Sequence, residues 1–137
     1  MLERFFKRKP APSMALRGAP SVRRQKTYSA QTGLVYQYFY EGHRASERTR
    51  RPGNEYVFLV STDRKSNFPL TVFLPAATVE SWQQLHGRKL SPTEQYAAVK
   101  MSLFETFDER ADLGPANAEV EIDEEAIERL LATLEIE

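Results

Sequence analysis

Leu34-Val35-Tyr36-Gln37-Tyr38-Phe39-Tyr40 is the stretch whose reading sets the fold. Aromatic and β-branched side chains suit a pleated, half-buried surface, so the run predicts a strand. Period two puts Leu34, Tyr36, Tyr38 and Tyr40 on one face and Val35, Gln37, Phe39 and Glu41 on the other. Just upstream, Lys26-Thr27-Tyr28 is β-prone and Gln31-Thr32-Gly33 signals a turn, which predicts a hairpin leading into this strand.

Downstream, Glu55-Tyr56-Val57-Phe58-Leu59-Val60-Ser61 is apolar on both sides and reads as a central strand. Between the two, Gly42 to Asn54 reads as a long connection closed by a type II turn at Arg51-Pro52-Gly53-Asn54. Asp63 to Asn67 supplies the next turn, and a third strand is expected over about Leu70 to Leu74, bracketed by Pro69 and Pro75.

After Pro75 the period lengthens from two to about 3.6. Ala76, Val79, Trp82 and Leu85 form the apolar stripe of a short helix, with Gly87 at its C′ position. Ser91-Pro92-Thr93-Glu94 then carries an N-cap, a proline at N1 and a capping-box glutamate at N3, so a helix starts at Pro92 and runs to about Glu109. Tyr96, Val99, Leu103 and Phe107 give it a broad buried face. Glu119 to Ile122 alternates as a short strand, and Asp123 caps a last helix with Ile127, Leu130, Leu131 and Leu134 inward. Strands first and helices gathered after them predict an α+β domain over 26–137: an antiparallel sheet of three to four strands, two helices, a short strand and a C-terminal helix.

Residues 1–25, with three prolines and little periodicity, read as a flexible basic arm. The formal net charge of zero hides a strong asymmetry: residues 1–52 hold 12 Lys and Arg against 3 Asp and Glu, while residues 106–137 hold 2 against 11. Such an arm suits an anionic partner or the acidic end of another copy. No apolar run approaches the ~20 residues of a membrane span. The first residues lack the continuous apolar core of a secretory signal, and absence of cysteine suits a reducing compartment, so the expected location is cytoplasmic.

Two surfaces stand out as partner-binding candidates. Tyr36, Tyr38 and Tyr40 share a face that could be a core edge, a base-stacking platform or, the preferred functional reading, a self-association surface completed by a second copy. Arg44, Arg48, Arg50 and Arg51 crowd the connection between two aromatic strands, where guanidinium groups would bind phosphate or stack on bases; the rival reading is a solvated loop. The partners expected are therefore a second copy or another protein, with nucleic acid as the alternative. Leu2, Phe5 and Phe6 among basic residues would suit peripheral membrane contact by residues 1–9.

Chemistry-bearing motifs are sparse. His43 and His86 have no neighbouring motif, and there is no nucleophile elbow, phosphate-cradling glycine loop or paired-His spacing. Glu119, Glu121 and Asp123 would share a strand face, but successive Cα atoms ~6.8 Å apart are wide for one ion, so they read as a solvated edge. The sequence thus predicts a non-catalytic interaction module without metal or cofactor, with an enzyme whose site is noncontiguous as the remaining alternative.

Overall fold

A computed structural model of the chain describes residues 15–48 and 51–137, with Glu47 and Arg48 described through their backbone alone. The elements are β1 (Lys26–Ser29), β2 (Val35–Arg48), β3 (Arg51–Ser61), β4 (Phe68–Pro75), α1 (Ala76–His86), α2 (Pro92–Glu109), β5 (Glu119–Glu121) and α3 (Glu124–Thr133). They make one five-stranded sheet in the order β1-β2-β3-β4-β5. The first four strands are antiparallel neighbours, and β5 joins β4 in parallel. The α+β prediction holds, with a mixed, mainly antiparallel sheet.

Local signals place the helices where the sequence puts them. The Ser91 side chain accepts from the Glu94 backbone N–H at 3.1 Å, and the Glu94 carboxylate accepts from the Ser91 N–H at 3.0 Å, closing the capping box. Arg88 adds two 3.0 Å hydrogen bonds to Glu94, and with the Ser91 N–H it holds that carboxyl down at about 2. Gly87 ends α1 with φ +70°, and Asp123 caps α3 through the Ala126 N–H. One stripe differs from expectation. Leu85 is exposed; Trp82 is buried as expected and Thr78 joins it, because α1 packs on α3 as well as on β3 and β4. Trp82 stacks on His86, which bonds Glu128 of α3, and the Thr78 hydroxyl donates to the Ile122 carbonyl.

The core lies between the helices and one sheet face, made by Tyr36, Phe58, Leu70, Val72, Leu103 and Phe107, all fully buried. This corrects the tyrosine-face expectation: the rings lie under α2. Tyr36 stacks on Phe107 at 4.0 Å and its hydroxyl donates to the Arg110 carbonyl; Tyr38 meets Phe58 and Phe104 edge-on. Tyr40 is half-buried against Tyr96 at 4.8 Å. Periodicity shows that the tyrosines share a face, and the long apolar stripe of α2 is the layer that takes it.

The Gly42–Asn54 connection is also corrected. It is not a loop: β2 runs on to Arg48 and returns from Arg51, with Pro52 paired to Glu47 and Gly53 to Ser46. A bulge at Glu41 shifts the register, so Tyr40 faces Phe58 but Gly42 faces Val57. One extra residue reverses the facing of everything after it. His43 therefore joins Tyr40 and Tyr56 on the helix side, while Arg44 turns to the opposite side and meets Glu55 at 2.9 Å.

Residues 15–25, assigned by composition to the arm, lie against β2. Arg17 and His43 exchange both backbone hydrogen bonds, at 2.7 and 2.8 Å. Arg23 lies over the Phe39 ring at 4.0 Å and bonds Glu41. This strap then continues into β1. Residues 1–14, including the membrane-contact candidates within 1–9, lie outside the described residues. Among the described residues, no helix is long and apolar enough to cross a membrane.

Candidate functional site

The strap, the start of β1, the first half of β2 and the first half of α2 enclose a cleft of about 400 Å³. Each wall follows from a local rule. On α2, Tyr96 and Lys100 are four residues apart and so project together from one face of the helix. On the sheet, Lys26 of β1 is paired directly across from Tyr38 of β2, and Tyr40 follows Tyr38 on the same face. The strap contributes Arg24 and the apolar Pro20 and Val22 as the facing wall.

Three cations, Arg24, Lys26 and Lys100, line this space, and no carboxylate lines it among the described residues. None of the three has a carboxylate partner among the described residues. Elsewhere five arginines are paired with carboxylates: Arg23 with Glu41, Arg44 with Glu55, Arg51 with Glu121, Arg88 with Glu94 and Arg129 with Glu105. Like-charged groups gathered without counter-charge repel, which costs stability that an incoming anion removes.

Lys100 is held among rings, its Nζ 5.6 Å from the centroids of Tyr38 and Tyr96 and 5.5 Å from that of Phe104. Partial desolvation lowers its pKa, and neighbouring Lys26 lowers it further. The electron-rich ring faces offset part of that cost. Burial acts the other way on the tyrosines: it raises Tyr38 and Tyr40 and pushes Tyr96 up to about 12. Their hydroxyls therefore keep their protons around neutral pH. The Tyr40 oxygen lies 3.2 Å from His43 Nδ1, whereas the Tyr38 and Tyr96 hydroxyls have no hydrogen-bond partner among the described residues. The cleft offers positive charge and O–H donors together, a donor set for an anion.

The sequence candidates divide. Tyr38 and Tyr40 line the cleft, but Tyr36 is sealed beneath Phe107. Arg44 and Arg51 stand away from it, tied to Glu55 and Glu121, the latter by two hydrogen bonds of 2.8 and 2.6 Å. The side chain of Arg48 and the whole of Arg50 lie outside the described residues. The structure thus does not bring Arg44 and Arg51 together with the tyrosines, because the Glu41 bulge sends Arg44 to the other face. Sequence reasoning missed Arg24, Lys26, Tyr96 and Lys100. The i, i+4 spacing of Tyr96 and Lys100 was visible, but only the way α2 crosses β2 shows what they face. His43 and His86 are engaged with Tyr40 and Glu128, and among the described residues no group of His, Asp and Glu could hold a metal ion.

Comparison with protein-family models, with curated proteins and with solved structures gives no match, so the functional reading rests on this geometry.

Proposed function

We propose that the protein is a small, non-catalytic interaction module that captures an anionic partner in the cleft between α2 and the strap. The observation that carries this reading is the set of three cations, Arg24, Lys26 and Lys100, facing one space without a carboxylate among its described lining. A cavity of about 400 Å³ lies within the usual size of ligand sites, about 300–1,000 Å³. The basic character expected of the N-terminal half is kept, but its focus moves from the Arg44–Arg51 ribbon to the strap and α2. A nucleic-acid role for that ribbon loses support, since Arg44 and Arg51 already have partners. We place the module in the cytoplasm, a reading supported by the absence of cysteine.

Isothermal titration with inorganic phosphate at low ionic strength tests the reading. Wild type binds, the affinity falls as salt is added, and Lys26→Ala with Lys100→Met together reduce it at least tenfold. Equal phosphate affinity in wild type and the double variant, with both folded by circular dichroism, contradicts the proposal.

A further inference from the structure

We infer that the ligand of this cleft is a phosphate monoester carried on a flat aromatic body, close in size to a mononucleotide. The inference rests on the anion-binding reading above and adds the chemistry of the group behind the charge.

Charge comes first. Three cationic side chains face the cavity, more than one carboxylate would balance. A phosphate monoester carries about −1.5 to −2 at neutral pH and offers three acceptor oxygens. Those acceptors match the Tyr38 and Tyr96 hydroxyls and the ammonium groups of Lys26 and Lys100, all of which donate.

Size comes next. Five heavy atoms, each allowed the ~30 Å³ that a water occupies in the liquid, fill at most about 150 Å³. The cavity is about 400 Å³, so more than half remains once a bare phosphate is seated. That remainder is walled by rings on one side and by Pro20 and Val22 on the other. Val22 is 59% exposed, one of three exposed large apolar side chains among the described residues. An aromatic wall opposite apolar side chains suits a planar group, because rings favour offset-stacked or edge-to-face contact and the apolar side chains remove the group's other side from water.

The experiment is a ligand series on the full chain by isothermal titration: inorganic phosphate, adenosine, adenosine 5′-monophosphate, phenyl phosphate and benzoate. Adenosine 5′-monophosphate should bind at least tenfold tighter than either phosphate or adenosine, and phenyl phosphate tighter than benzoate. Phosphate and adenosine 5′-monophosphate binding equally would overturn this inference while leaving the anion site standing. Benzoate matching phenyl phosphate would overturn the phosphate assignment, and no binding by any of the anions would overturn both readings. Val22→Ser and Tyr96→Leu, each checked for folding, should bring the preference for the nucleotide over phosphate below threefold. A preference that survives both substitutions would show that these walls do not hold the body of the ligand.

Discussion

Gly42→Ala is expected to destabilise the protein far more than Gly33→Ala, although both glycines have positive φ. Gly42 has φ +127° and Gly33 has φ +95°, so alanine is strained at either position, at about 1–3 kcal/mol. The surroundings differ. At position 33 a Cβ meets nothing within 4 Å, whereas at 42 it would lie 2.5 Å from the Arg17 carbonyl oxygen and 3.1 Å from Leu16 Cβ. Relieving that contact moves the strap off the two Arg17–His43 hydrogen bonds, at about 0.5–1.5 kcal/mol each. The total is about 2–6 kcal/mol for Gly42→Ala, an excess of about 1–3 kcal/mol over Gly33→Ala. At roughly 4 °C per kcal/mol for a chain of this size, the excess is about 4–12 °C in Tm. Thermal unfolding gives the difference, and amide exchange shows whether Arg17 and His43 lose protection only in Gly42→Ala. Equal Tm losses, with both amides protected in both variants, would refute the claim that the strap is clamped at Gly42. Because the same strap carries Arg24 and leads into Lys26, Gly42→Ala should also weaken phosphate binding.

Three other outcomes are expected. The Glu94 carboxyl is depressed to about 2, chiefly by Arg88 and then by the Ser91 N–H, so its contribution to stability is present above its ordinary pKa of 4.5 and is lost as pH falls toward 2. Glu94→Gln should flatten Tm against pH across that window, and an unchanged profile would contradict the assignment. Gln37 is 95% buried on the helix-free face and its Oε1 has no hydrogen-bond partner among the described residues, so Gln37→Met should stabilise by about 1 kcal/mol in urea titration; a lower midpoint would show that the amide is needed. Lys100 has a lowered pKa from burial and from Lys26, and it is charged only below that value. Phosphate affinity should therefore fall, as pH rises, before the ordinary lysine range is reached, and Lys100→Arg should move the loss to higher pH. An identical profile in Lys100→Arg would remove Lys100 from the anion contact.

Most of the fold is legible where the local signal is self-contained. Ser91-Pro92-Thr93-Glu94 marks the start of α2, Gly87 the end of α1 and Asp123 the start of α3, because caps depend on a few adjacent residues. Features set by distant partners are the ones that escape. The Gly42–Asn54 stretch looks like a solvated connection because it is rich in charge, yet its described residues pair within the β2–β3 ribbon and, at Gly53, with Pro75. Nothing local announces the Glu41 bulge that reverses Arg44, or the parallel seat of β5 beside Thr71–Phe73. Alternation shows that Tyr36, Tyr38 and Tyr40 are coplanar neighbours, but whether helix or solvent meets them depends on where α2 is laid. The same holds for the cleft. Its residues come from the strap, β1, β2 and α2, and only the packing of α2 over the sheet brings Tyr96 and Lys100 opposite Arg24.

The most direct test of the central claim is a titration of uniformly ¹⁵N-labelled full-length protein with inorganic phosphate, followed by amide chemical shifts. The account predicts saturable shifts on both walls at once, over residues 21–26 of the strap and β1 and 96–100 of α2, with the Arg44 and Glu55 amides on the opposite sheet face unmoved. Shifts centred on Arg44 and Arg51, or no saturable shift at either wall, would contradict it.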